Sequence, residues 1–311
     1  MRVRAAAVAV WVLTAACGSR TPLIVGETPE VDASAPDASP PDASGMDAAI
    51  AADVLVPDCV SAAASFIYLV SDTSPIELYS VNPANGGFSD IGTLDCPTSD
   101  VPKAFSIAVD RKGNAFVLTT DFGSPAQGAL WQVSTSTAHC EPVLDYARGQ
   151  LGFSVFGMAF ATNGNGPDET LYIEGASDLG SVAAFGKLDP STWRVTYVGT
   201  NEPPISRGQL TGTGDGRLFE LYYTGALMPD FLPFDQVDPT TGGVTMSGNG
   251  PTYFGTAFSV ARSDGEAYAF LAQGGPGETD VFPIPDLPTT PFAVPSGITI
   301  AGAGVSTCAP P

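Results

Sequence analysis
Histidine occurs once in this 311-residue chain, at His139, and 12 Lys and Arg stand against 33 Asp and Glu. The shortage of histidine removes the usual acid–base group of neutral pH and the commonest transition-metal ligand. His139 stands beside Cys140, in a segment that reads as an outer strand. It is expected at the surface, far from any central site, which disfavours a zinc centre and a Ser-His-Asp triad. The shortage of cations leaves a formal net charge of −21. That charge repels nucleic-acid phosphates and anionic lipid surfaces and otherwise serves solubility. No long stretch places apolar residues at i, i+3, i+4 and i+7, so helices should be scarce. No glycine-rich loop leads from a strand into a helix, so no phosphate cradle of that kind is present.

What the chain has in quantity is turn-forming residues: 35 Gly and 28 Pro, within a composition that is still 44% hydrophobic. That combination excludes disorder throughout and describes many short strands joined by many turns. Three segments, Val81–Gly92, Leu188–Gly199 and Val237–Gly248, align without a gap. Each finishes a strand, turns at Asn82-Pro83, Asp189-Pro190 or Asp238-Pro239, and starts a second strand that closes on Gly. Asn or Asp recurring in one slot points to a structural job, a side chain bonding the backbone of its own turn. A unit that recurs at about fifty residues signals a repeat architecture.

Segments rich in small residues serve as the inner strand of each unit: Phe105–Asp110, Val155–Phe160, Leu210–Gly214, Gly255–Val260 and Thr299–Val305. They suit strands that crowd around a central channel. The first four lead into second strands at Ala115–Leu118, Leu171–Glu174, Leu218–Tyr222 and Ala267–Leu271. Turns such as Lys112-Gly113-Asn114, Asp215-Gly216 and Asp264-Gly265 have the right chemistry for the connections. The first unit opens directly on a second-type strand, Phe66–Val70, and the last inner strand has nothing after it. The two fragments complement each other. The expected fold is an all-β, five-bladed β-propeller whose C-terminal strand completes the first blade and removes the open edges. Six blades would need units of about forty residues, and a β-sandwich would not explain the repeat. Ring closure brings Cys308 to Cys59 as one disulfide. Cys96 and Cys140 remain and could staple blades one and two, as an even cysteine count in an exported chain suggests; buried free thiols are the alternative.

Residues 1–58 read differently. Arg2 and Arg4 precede an apolar run of nine residues, Ala5 to Leu13, which is the plan of an export signal and too short for a permanent span. Thr14-Ala15-Ala16-Cys17-Gly18 resembles the bacterial lipobox, although Leu13 sits one place early. That resemblance implies cleavage before Cys17 and acylation of its thiol. An ordinary small-residue site after Ala16 would cut the same bond without acylation. The stretch that follows repeats Pro-Asp-Ala-Ser and has no aromatic residue and no Lys or Arg after Arg20. It cannot offset its ordering entropy, and proline and like charge keep it extended. The expected division is a signal peptide at 1–16, a lipid-anchored acidic linker at 17–58 and a propeller at 59–311.

Anchor and acidic stalk together resemble lipoproteins of myxobacteria, and Leu78-Tyr79-Ser80-Val81-Asn82-Pro83 resembles the blade repeats of secreted bacterial β-propellers. The resemblance implies an exported, lipid-anchored cell-envelope protein. Gly18, in place of an acidic retention signal, points to the outer membrane. A monomer is expected.

Candidates for chemistry are few. Asn163–Glu169 is rich in the oxygens calcium accepts, but it lacks the length and closing Glu of an EF-hand loop and reads better as an elongated turn. Glu174 and Glu220 occupy second-strand slots that are apolar in the other blades. Such an acid either reaches solvent at the strand end, the preferred reading, or is placed for binding, since burying it unpaired is costly. Polar residues of the inner strands, Ser106, Thr211, Thr213, Asp215, Thr256 and Ser259, are the other ligand-binding candidates. Tyr222, Tyr223 and Phe231 are candidates for a sugar-stacking patch, though such rings more often pack blades. No catalytic constellation, metal site or other cofactor site is identified, and no Glu/Asn/Asp trio falls at equivalent strand ends. The expected function is a non-catalytic envelope module that binds a protein, peptide or glycan. The alternatives are a calcium-dependent propeller enzyme of the lactonase or lyase type and a purely structural envelope component.

Overall fold
A computed structural model describes residue 59 and residues 62–96, 103–121, 128–164, 166–175, 184–201, 205–224, 232–273, 275–284 and 292–311. The signal segment, Cys17, the linker and Phe231 lie outside the described residues. The described part falls within one unit, Asp53–Pro311.

Its strands form five antiparallel sheets. The first holds β1 (Ile67–Ser71), β2 (Glu77–Asn82) and β3 (Gly87–Thr93). The second holds β4 (Lys103–Val109), β5 (Asn114–Thr120), β6 (Gly128–Ser134) and β7 (Cys140–Pro142). The third runs β8 (Phe156–Thr162), β9 (Glu169–Gly175), β10 (Ala184–Asp189) and β11 (Arg194–Thr200). The fourth runs β12 (Arg207–Gly212), β13 (Leu218–Tyr223), β14 (Phe234–Val237) and β15 (Val244–Met246). The fifth has three strands among the described residues: β16 (Ala257–Ser263), β17 (Glu266–Ala272) and β18 (Asp280–Ile284). The last strand, β19 (Ile300–Val305), pairs antiparallel with β1, Ile67 opposite Val305, and so supplies the inner strand of the first blade. This is the five-bladed, C-terminally closed propeller that the repeat predicts.

The repeated turn works as its composition requires. Asn82, Asp189 and Asp238 each accept, through Oδ1, the N–H two residues on, at 3.0, 2.8 and 2.7 Å. The carbonyl of the same residue accepts the N–H four residues on, from Gly86, Trp193 and Gly242. That fourth residue has positive φ in all three copies: +73°, +54° and +75°. Glycine fits the slot without strain. Trp193 occupies it at a conformational cost, offset by its ring lying 5.3 Å from that of Phe116.

Both disulfides form. Cys59 is bonded to Cys308 with Cα atoms 5.5 Å apart, and Cys96 to Cys140 with Cα atoms 4.7 Å apart. His139 is exposed beside that second bridge, its Nδ1 2.7 Å from Asp95 Oδ2.

The five inner strands run in the same direction about the channel, so the channel has two distinct ends. The far end, where the inner strands finish, is closed by the C-terminal residues. Thr307 Oγ1 donates to Glu169 Oε2, the N–H of Arg111 donates to Glu169 Oε1, and the N–H of Asp264 donates to the carbonyl of Pro310. A Cβ on Gly214 would stand 2.3 Å from the Thr307 carbonyl oxygen, so the chain crosses there at backbone contact. The oxygen-rich segment after β8 serves this closure: Asn163 N–H donates to the Asp168 carbonyl within an elongated turn. Asn165 lies outside the described residues.

One expected boundary shifts. The fourth inner strand covers Arg207–Gly212 rather than Leu210–Gly214. Thr213 leaves it because its N–H and hydroxyl both bond the Arg217 carbonyl, which makes the β12–β13 turn. Thr213 and Asp215 therefore belong to the closed end.

Candidate active site
Strand alternation decides which way each second-strand side chain points. In β9, Leu171 and Ile173 enter the core between blades two and three, so Tyr172 and Glu174 face blade four. In β13, Phe219 and Leu221 enter the core between blades four and five, so Leu218, Glu220 and Tyr222 face blade three. The two glutamates are thus sent into the same inter-blade space from opposite sides. Among the described residues the largest apolar cluster at that interface holds seven buried residues, against eleven to sixteen at the other four. Polar groups fill the remainder.

Glu174 is fully buried and Glu220 is 1% exposed, which corrects the expectation that they reach solvent at the strand ends. A strand-end position would be wet on an isolated sheet, but here the adjoining blade covers it. The amide of Asn201, which follows β11, joins them: its Nδ2 donates to Glu174 Oε1 at 2.6 Å and to Glu220 Oε2 at 3.0 Å. The carboxyls also hydrogen-bond each other. Beside them Tyr222 donates its hydroxyl to Asp235 Oδ2 at 2.9 Å, and Gly248 N–H reaches Asp235 Oδ1 at 3.1 Å. Asn201, Asp235 and Tyr222 are all buried. Two neighbouring blades thus bring Glu174, Glu220 and Asn201 together, with Asp235 close enough for its charge to act on Glu220.

Burial, more than any other influence, pushes both carboxyls up. Glu174 is held well above the usual carboxyl range, with the charge of Glu220 adding to the effect. Glu220 is pushed up to about 7; the Asp235 charge raises it further, while the hydrogen bonds from Glu174 and Asn201 lower it. Oε2 of Glu174 has no hydrogen-bond partner among the described residues. Burial thus favours the protonated form of both carboxyls. Two carboxyls with different proton affinities are what general acid–base chemistry requires. Asn201 Oδ1 also lacks a partner among the described residues.

At the end of the channel where the inner strands start lies a cavity of about 580 Å³. Asp72, Lys103, Phe254, Thr256, Gln273 and Thr299 are among the residues that line it. Strand β12 connects this mouth to the carboxyl pair. Gly208 lies so close to Glu174 that a Cβ there would stand 2.1 Å from Oε2. Its neighbour Arg207 donates to the Thr256 carbonyl at 3.2 Å and lies over the rings of Phe105 and Phe258.

Of the inner-strand candidates, Thr256 alone lines the mouth cavity. Ser106 is buried and donates to the Phe156 carbonyl, Thr211 is buried and accepts the Arg262 N–H, and Ser259 is buried. Ser106 and Thr211 lock inner strands to one another, whereas Ser259 Oγ is buried with no hydrogen-bond partner among the described residues; none of the three lines the cavity. Tyr222 is buried and Tyr223 half-buried. Sequence reasoning missed Asn201, Asp235, Asp72 and Lys103. Asn201 and Asp235 carry no repeated signal, and the cavity is composed of segments distant in sequence. Among the described residues no group of three or more His, Cys, Asp or Glu is arranged to hold a metal ion.

No protein-family model matches the sequence, and no curated protein matches it. Solved structures do. An endo-arabinase from Bacteroides thetaiotaomicron is similar at 12% identity, over 74% of this chain and 93% of that one, with a TM-score of 0.50. A GH43 beta-xylosidase/alpha-arabinofuranosidase from a compost microbial metagenome is 11% identical over 63% and 73%, TM-score 0.42. A GH43_1 enzyme from Xanthomonas citri is 11% identical over 65% and 72%, TM-score 0.41. At these identities the likeness is one of fold. The expectation of a protein that is not an enzyme is corrected only so far: the endo-arabinase, a protein of like fold, is an enzyme.

Proposed function
We propose that the chain is a propeller enzyme that cleaves a glycan, binding it at the channel mouth and using the Glu174–Glu220 pair for proton transfer. One observation carries this reading: two buried carboxyls share a single Asn201 amide and differ in proton affinity, with Glu220 near neutrality. Paired carboxyls of unequal affinity suit proton transfer; because they bond each other they act as one acid–base unit, and the second carboxylate that glycoside hydrolysis sets across the scissile bond would come from elsewhere at the mouth. Proximity supports it too, since β12 touches the pair at Gly208 and the mouth wall through Arg207. The similar fold of an endo-arabinase supports the choice of bond.

The test is turnover. Purified full-length protein is incubated with arabinan and xylan oligosaccharides, and new reducing ends are measured. Activity that Glu220→Gln abolishes supports the reading, and no release from any of them sinks it. The complete burial of the pair favours a second reading, in which it is an inter-blade lock and the acid–base groups lie elsewhere at the mouth. Turnover that survives Glu220→Gln would select that alternative.

We further infer that the enzyme works outside the cytoplasm, held to a membrane through acylated Cys17. Two disulfides suit an oxidising compartment, and the lipobox-like Ala15-Ala16-Cys17 supplies the anchor. Cys17→Ser should release the protein from the membrane fraction; retention there would refute the anchor.

A further inference from the structure
We propose that the channel-mouth cavity binds a neutral saccharide; this rests on the glycan-cleaving reading above and narrows its substrate class, but it is argued from the cavity walls alone. Its volume of about 580 Å³ is within the usual range for small-ligand sites, roughly 300–1,000 Å³.

Backbone bonds set its walls in place. Asp72 N–H donates to the Thr299 carbonyl at 2.8 Å, and Gly277 N–H to Thr299 Oγ1 at 2.7 Å. Gly297 N–H reaches the Gly277 carbonyl at 2.7 Å, and Thr256 N–H the Ala272 carbonyl at 3.1 Å.

Charge decides the class of ligand. Among the described residues, Lys103 and Asp72 are the charged groups lining the cavity, and they pair with each other at 3.1 Å. An anion would have to pull Lys103 from Asp72, and it would approach a chain of net charge −21. A cation would have to displace Lys103. An ammonium beside a carboxylate instead offers a donor and an acceptor a few ångströms apart, which suits two adjacent hydroxyls of a sugar ring. The Gln273 amide, fixed by its donation to the Thr252 carbonyl at 3.1 Å, adds a further polar contact.

The last element is Phe254. It lines the cavity and is 65% exposed, in a protein whose other phenylalanines among the described residues are mostly buried. A flat apolar face at the edge of a polar cavity matches the C–H face of a pyranose or furanose, with the hydroxyls turned toward the polar wall.

The test is calorimetric titration of the purified full chain with arabinotriose, xylotriose and cellotriose, with trigalacturonate as the charged comparison. At least one neutral triose should bind saturably, and trigalacturonate should bind more weakly than it. Phe254→Ala should weaken the neutral ligand by roughly tenfold, about 1.4 kcal/mol, with an unchanged melting temperature because the ring is exposed. Lys103→Met, a second surface change, should weaken it as well. The proposal is overturned if no neutral triose binds at up to about 10 mM, if trigalacturonate binds more tightly, or if Phe254→Ala binds as the parent does. The two readings fail separately. Binding without turnover removes the enzyme and keeps the saccharide site, whereas turnover with a KM unaffected by Phe254→Ala does the reverse.

Discussion

Replacing Glu220 by Gln should make the protein more stable at pH 8 and leave it little changed at pH 4.5. In the folded state the Glu220 carboxyl is pushed up to about 7, from an ordinary value of 4.5. Below pH 4.5 folded and unfolded chains both hold the proton, so the carboxyl contributes no pH dependence. Between 4.5 and about 7 the unfolded chain has released it and the folded chain has not. Stability therefore falls as pH rises, by about 1.4 kcal/mol per pH unit. Above pH 7 both states are ionised and the loss is complete, at about 3 kcal/mol. Gln keeps the shape and the acceptor for Asn201 Nδ2 but has no proton to release, so the variant escapes this loss. At pH 8 the difference corresponds to a rise in Tm of roughly 6–12 °C for a domain of this size. The assay is urea unfolding of both proteins at half-unit steps from pH 4.5 to 8.5. Taking the difference between the two removes the general self-repulsion of so acidic a chain. A difference that does not change with pH would refute the burial and pairing of Glu220 on which the argument rests.

Gly208→Ala should cost about 1–3 kcal/mol by overpacking, because the new methyl would stand 2.1 Å from Glu174 Oε2. In a Glu174→Ala background most of that cost should disappear, and a double-mutant cycle that finds additivity would deny the contact. Replacing Cys59 and Cys308 together by Ser opens a loop of 249 residues. It should lower stability by up to about 5 kcal/mol in the chain-entropy model, with the melting temperature under non-reducing conditions as the measure. Gly242→Ala should destabilise by about 1–3 kcal/mol, since φ there is +75° and the added Cβ would lie 2.8 Å from Phe185 Cβ; circular-dichroism melting reads it.

The carboxyl pair shows where sequence reading stopped. That Glu174 and Glu220 are unusual was legible, because a period of two sets acids against apolar residues in the corresponding slots of other blades. Their facing each other was latent in the same alternation: Leu171 and Ile173 on one side of β9, Phe219 and Leu221 on the opposite side of β13. Their depth was not legible, because burial depends on the adjoining blade and on Asn201, which arrives from an outer strand with no repeated motif to mark it. The mouth cavity is further from view still, since Asp72, Lys103, Phe254 and Thr299 meet only after the ring has closed.

The amino-acid sequence by itself determined the blade unit, the count of five, the Asn/Asp turns, the closing strand and both disulfide pairings. These follow from local rules, since turn chemistry and strand alternation act over a few residues and a repeat multiplies the signal. Tertiary structure alone decided which polar groups are dry and which lie side by side. Desolvation and carboxyl pairing act through space between strands more than forty residues apart, here β9 and β13, and nothing in the local sequence encodes that distance.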